Sequence, residues 1–336
     1  MPQDIDFYMP FPGRRSPDFE RARTGHLDWP RQFSLITTES AAQRHAAGSY
    51  AELASLFYPR ASDDDLDLGV DLMSWFFLFD DLFDGPRGED PVAAKGLTDA
   101  VASALDGPLP GGSPLIAHGF ADIWRRSTQG MSPGWAARSM RNWRSYFSGY
   151  VEEALSRHHD LPINSSGEYL ALRRRTIGVL PTVDLAERTQ HCEVPQRVYD
   201  SPLITVMLLI AVDINLMFND IASLEKEEAR GELNNLVLIL MRERGWTRER
   251  SIASMQDEIR ARLEQFTTLE GCLPELFASY SLTPAEQQAV DQYRLNAVRS
   301  VIRGSYDWHR SSGRYGEEFA RAAGARGYLE ELGGWQ

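Results

Sequence analysis

Apolar residues recur at three- and four-residue intervals along most of this chain, as in "YAELASLFYP", "LDLGVDLMSWFFLFDD", "WAARSMRNWRSYFSGYVEEAL" and "AVDQYRLNAVRSVIRGSYDWHRSS". That spacing stacks side chains on one face of an α-helix, whereas strands need strict alternation. Alternating runs, Val/Ile/Thr clusters and Asn-Gly or Asp-Gly turns between such runs are nearly absent, so strands are not expected. Short breakers separate the helical runs: "GPRGED", "DGPLPGGSP", "QGMSPG", "INSSGE" and "LTPAE". The last two end in helix-start chemistry, with Ser166 ahead of Glu168 and Thr283 ahead of Pro284 and Glu286. The pattern predicts an all-α protein of roughly ten or more helices.

The longest apolar run, Pro202 to Phe218, is interrupted by Asp213 and Asn215. A membrane span needs ~20 nearly unbroken apolar residues, so this run reads as a core helix. At 336 residues the chain could form one large domain or two ordinary ones. Helical patterning of similar composition resumes on both sides of the strongest breaker, Asp106 to Pro114, which favours a single domain across residues 1–336. A net charge of −13 argues against a nucleic-acid partner, because phosphate backbones require clustered Lys and Arg. The N-terminus has acids in place of the positive start and long apolar run of an export signal, so a cytoplasmic protein with no membrane partner is expected. Cys192 and Cys272 stand in no metal-like or redox spacing and are expected to be reduced.

One segment strains this bland picture. In "SWFFLFDDLFDGPRGED" an apolar helix runs into Asp80, Asp81 and Asp84, at the end where a helix already carries partial negative charge. Asp80 and Asp84, four apart, share a helix face, and Asp81 reaches the same space from the flank. A hard divalent cation would relieve the repulsion; a solvated acidic helix end is the alternative. A second group follows the Pro202 run, where Asn219, Ser223 and Glu227 stand four and four apart. Four residues turn ~400°, so an amide, a hydroxyl and a carboxylate form one stripe, either a hard-metal ligand set or a polar surface face. Both groups begin where an apolar helix leaves the core, as the rim of an apolar cavity would.

"DDLFD" and "NDIASLEKE", in this order and separation, resemble the two metal-binding motifs of class I terpene synthases, and the likeness to bacterial sesquiterpene cyclases runs essentially the full length. The resemblance implies a helical bundle around a central apolar pocket, with three Mg2+ ions holding the diphosphate of farnesyl diphosphate at its mouth. In the family's pattern Asp80 and Asp84 bind two of the ions, and Asn219, Ser223 and Glu227 bind the third. Arg173 in "LRRRTIG" matches the family's diphosphate sensor, and Arg174 and Arg175 should point elsewhere around the helix. The break that follows the sensor matches "TIGVLP", with Gly178 and Pro181. Many relatives carry Asp where Thr176 stands. Lys226 and Arg230 flank the second motif as diphosphate donors, and Arg314 with Tyr315 match a pair that reaches the diphosphate as the site closes.

Departure of diphosphate leaves an allyl cation, which aromatic faces attract without bonding to it, by ~0.5 to 2 kcal/mol per ring. Phe76 and Phe77 lie one turn before Asp80 and Asp81, and Trp308 precedes the Arg-Tyr pair; these three are candidate pocket rings, while Phe57, Trp75 and Phe79 are expected in the core. His309 is a candidate base, weighed against a structural hydrogen-bonding role and against the diphosphate as base. Leu180 and Leu209 fall in stretches expected to line the pocket. The implied activity is cyclisation of farnesyl diphosphate to a tricyclic hydrocarbon, pentalenene being the expected product and another polyquinane such as cucumene its rival. A non-catalytic isoprenoid-diphosphate-binding protein is the alternative from a different class. A chain-elongating prenyltransferase would need a second aspartate-rich motif, which the sequence does not offer. Monomer and homodimer both remain open.

Overall fold

The computed structural model describes residues 5–84, 86–159, 163–229 and 231–315. Its helices follow the apolar spacing, and no strand occurs among the described residues. Those that position the site are numbered in chain order: α1 (Tyr50–Phe57), α2 (Asp63–Asp81), α3 (Pro133–His158), α4 (Ser166–Thr176), α5 (Val179–Thr189), α6 (Pro202–Ala229), α7 (Leu236–Arg244) and α8 (Arg299–Ser311). They pack around a centre: α1 lies on α2 and α8, α6 on α8 and α4, and α4 on α3. Ring contacts of Trp75 and Phe76 with Trp143 join α2 to α3, and α5 packs on α2, α3 and α6.

Local chemistry sets where these helices start and stop. Pro133 opens α3 after Ser132, whose hydroxyl accepts the Trp135 N–H, a position where proline's missing N–H costs nothing. The cap of α4 is Ser165, one residue earlier than the sequence pattern places it, and its hydroxyl accepts the Glu168 N–H. Thr283 and Glu286 form the reciprocal box expected for Pro284–Tyr293. Between α4 and α5 Gly178 has φ +74°, a left-handed conformation that glycine adopts without strain. A Cβ added there would also stand 3.2 Å from the Phe76 ring.

The α6 helix is long and apolar enough to cross a bilayer, yet 67% of that stretch is buried against its neighbours. Its Asp213 is sealed in the interior by Arg174 and Arg262. Trp75 and Phe79 stack at 4.7 Å in the core, where Trp75 donates to the Ile116 carbonyl. Cys192 is buried and Cys272 exposed, and neither is in a disulfide.

Candidate active site

The helices enclose a cavity of about 190 Å³ whose wall includes Phe57, Phe76, Phe77 and Trp308 and whose mouth carries Asp80, Asp84, Asn219, Ser223, Lys226 and Glu227. Phe57 is buried in the core, as expected, and also lines the cavity, because α1 packs between α2 and α8.

One rim is the end of α2. The helix stops at Asp81, and the N–H groups of Phe83 and Asp84 bond back to the Asp80 and Asp81 carbonyls at 2.9 and 3.3 Å. Asp84 is thus in a tightened turn rather than on a continuous helix face with Asp80, and the turn still leaves both lining the cavity. Asp80 accepts from the Tyr150 hydroxyl at 3.0 Å and from Arg314 at 3.3 Å. Burial, then the Asp84 charge, raise its carboxyl above the usual range. Lys226 Nζ lies 3.7 Å from Asp84. Asp81, by contrast, is buried behind the rim, where Arg314 donates to it at 2.9 Å. Arg314 also donates to Tyr50 Oη at 2.9 Å and stands 4.5 Å from the Phe77 ring centroid. Asp81 meets Asp80 at one nitrogen of Arg314, as adjacency implied, but does not line the cavity; it anchors the arginine.

The opposite rim is the polar stripe of α6. Asn219 Oδ1 accepts from Arg173 at 2.7 Å, while its Nδ2 donates to Tyr315 Oη at 3.0 Å and faces His309 Nε2 at 3.5 Å. Ser223 Oγ donates to the Asn219 carbonyl, and Glu227 accepts from Asn235, the cap of α7. Burial, then the nearby Asp220, raise the Glu227 carboxyl; burial pushes Asp220 up to about 6, opposed by Arg173. Burial would lower Arg173, but Tyr169, Asp220 and Glu153 outweigh it, so the guanidinium is held firmly charged. Arg174 and Arg175 turn away to Asp213 and Glu152, as helix geometry requires. Arg230 lies outside the described residues.

His309 bonds through Nδ1 to the Ser305 carbonyl at 2.7 Å, and burial pulls it down to about 4. It is neutral, with the Nε2 lone pair turned to the Asn219 amide. Its ring stacks on Tyr315, and Trp308 packs edge-on against both. Phe77 stacks on Tyr50 at 4.3 Å, so part of its π-surface already serves the protein's own Arg314.

The two rims offer carboxylate, amide and hydroxyl oxygens, with Asp80 and Glu227 both burdened by burial and neighbouring negative charge. A hard divalent cation matches that donor set and would remove the burden. Residues 71–265 match the family described as terpene synthase family 2, C-terminal metal binding. The chain belongs to this terpene synthase family. A pentalenene synthase of Streptomyces avermitilis is 69% identical over 333 residues, covering 99% of each chain, and one from Streptomyces arenae is 66% identical over the same span. The crystal structure of linalool/nerolidol synthase from Streptomyces clavuligerus has a TM-score of 0.82 at 32% identity, covering 91% of this chain and 100% of that one. A divalent metal is the cofactor of this terpene synthase.

Two pocket expectations fail. Leu180 packs at the edge of the core, and Leu209 is 38% exposed on the outer face of α6; neither lines the cavity. The residues missed were Tyr146, Tyr150 and Glu153 of α3, all of which do. Their spacing of four and three put them on one face, and "YFSGYVEEA" carried that signal.

Proposed function

We propose that this terpene synthase is a Mg2+-dependent sesquiterpene cyclase that ionises farnesyl diphosphate and closes it to pentalenene, releasing pyrophosphate. The observation that carries the reading is the facing of the Asp80 rim and the Asn219–Ser223–Glu227 rim across one aromatic cavity; the curated pentalenene synthases at 69% and 66% identity support the product. We read the whole chain as one cyclase domain acting in the cytoplasm.

Three Mg2+ ions, two held by Asp80 and Asp84 and one by Asn219, Ser223 and Glu227, would supply Lewis-acid neutralisation of the leaving diphosphate. Arg173, Lys226, Arg230, Arg314 and Tyr315 are assigned to the same anion as donors. Buried guanidinium groups held charged by neighbouring tyrosine and carboxylate oxygens act as preorganised positive charges where negative charge develops. As the carbon–oxygen bond breaks, its electron pair leaves with the diphosphate and an allyl cation stays in the cavity. Phe76 and Trp308 present rings to it, with the uncommitted part of Phe77, and the wall excludes water. Neutral His309 accepts from the Asn219 amide, fixing Asn219 Oδ1 toward the rim, and the retained diphosphate takes the final proton. Incubation with farnesyl diphosphate and Mg2+ should release pyrophosphate and give pentalenene as the main peak in gas chromatography with mass spectrometry. Binding without pyrophosphate release would leave only a carrier protein, and a different hydrocarbon would overturn the product.

A further inference from the structure

We propose that Glu153 is a positioning residue for ionisation, aiming the Arg173 guanidinium through the Thr176 hydroxyl; this rests on the reading of Arg173 as a diphosphate donor. Thr176 ends α4 and is buried. Its hydroxyl proton goes to Glu153 Oε1 at 2.7 Å, which leaves its lone pairs to accept from Arg173 Nη1 at 3.2 Å. Glu153 is thereby connected to the guanidinium without touching the far side that meets Asn219. A threonine hydroxyl inside a helix otherwise turns to a backbone carbonyl one turn back. The charged acceptor prevents this, since hydrogen bonds to ionised groups are the stronger ones.

The packing around Thr176 is built for this orientation. Gly149 and Glu153 stand one turn apart on the face of α3 that meets α4. A Cβ on Gly149 would lie 2.4 Å from Thr176 Cγ2, so α4 seats closely only on a glycine. The methyl group of Thr176 rests on Gly149 and its hydroxyl meets Glu153, which selects one rotamer. Arg157 Nη2 stands 3.7 Å from the other oxygen of Glu153. Glu153 lines the cavity wall, where a bare carboxylate beside a diphosphate would repel it, and its pairing with Thr176 and Arg157 turns it away from that role.

The test compares Glu153→Ala, Glu153→Gln, Thr176→Val, the Glu153→Ala/Thr176→Val double variant and Arg173→Ala. Readouts are kcat and KM for farnesyl diphosphate, calorimetric affinity for inorganic pyrophosphate with Mg2+, and Tm. Glu153→Ala and Thr176→Val should each lower kcat about tenfold, the worth of one charge-assisted hydrogen bond, and weaken pyrophosphate binding. The double variant should be no worse than either single one, because both remove the same connection. Glu153→Gln keeps an acceptor without the charge and should restore only part of kcat. Unchanged kcat in Glu153→Ala, multiplied losses in the double variant, or losses that follow Tm would overturn the proposal, as would a raised Mg2+ requirement in Glu153→Gln. Undiminished turnover in Arg173→Ala would instead remove the underlying reading. Loss in Arg173→Ala alone would remove only the role of Glu153.

Discussion

The two rims of the cavity are built differently. On α6 the polar stripe runs along the flank of a long buried helix, and each of its three side chains is tied to a neighbour within the bundle: Asn219 to Arg173, Ser223 to the backbone of its own helix, Glu227 to Asn235. On α2 the carboxylates stand at a helix end that unwinds into a turn, and their main cationic partner, Arg314, comes from the other end of the described chain. The first rim is held mainly by the bundle, only Asn219 also meeting Tyr315 of the segment that follows α8. The second is completed by a segment that follows α8, so its charge balance depends on where that segment sits. A site divided this way keeps one half preorganised and makes the other responsive, which suits a reaction that must exclude water while it runs.

The largest effects should come from the rims themselves. Asn219→Ala removes a proposed ligand and also releases Arg173, so turnover should fall by about 10³, whereas Asp80→Ala should cost about 10², the range for single electrostatic groups in a dry site. Steady-state kinetics with farnesyl diphosphate check this, and the reverse order would break the distinction. Next, Asp81→Ala takes the nearer carboxylate from the buried Arg314 guanidinium, leaving Asp80 and Tyr50, and should destabilise the protein by about 2 kcal/mol in urea unfolding, the worth of a charged hydrogen bond. No change in stability would mean that the Arg314 segment contributes nothing to closing that rim.

A pH-dependent effect of similar size sharpens the same rim. His45 packs on Tyr50 and meets Ser74, with His26 and Arg314 nearby, and burial pulls it down to about 3. A histidine lowered on folding binds fewer protons in the native state than in the unfolded one between pH 3 and 6.5, so its share of stability is lost as pH falls. Between pH 8 and pH 5 the wild type should lose about 2 kcal/mol that His45→Gln does not. Burial pushes Asp71 up to about 7, and that group acts with the opposite sign, being protonated in the native state; comparing the two proteins cancels it. Urea titrations at both pH values give the difference directly. Smallest, Thr283→Ala should cost about 1 kcal/mol of stability through its lost cap and leave turnover unchanged, since it touches neither rim.

Helix type and the grouping of polar residues on shared faces were legible from spacing, because periodicity reports which residues share a face. The 3.6-residue repeat put Asn219, Ser223 and Glu227 on one stripe and said that Arg173, Arg174 and Arg175 diverge; which arginine faces the site came from the resemblance. What periodicity cannot report is which distant face lies opposite. Asp81 reads as a third rim carboxylate until Arg314 is seen against it, and the hydroxyl of Tyr150 reads as core until Asp80 is found 3.0 Å away. Leu180 and Leu209 were misplaced for the same reason, since an apolar side chain is equally at home in a packed core, in a cavity wall or on the outside of a crowded bundle. Asp84 was mistaken in conformation but not in place, because the turn after Asp81 carries it forward by nearly a helical step.

Gly178 narrows the routes by which descendants of this enzyme could acquire new products. Any side chain there would need a disfavoured backbone and would press on the Phe76 ring at once, so the contour of the hollow at that bend is written in main chain and resists gradual tinkering. Innovation has to enter instead through helix-borne side chains of the wall, such as Leu53, Phe57 and Met73, which can be exchanged one at a time without unbending anything.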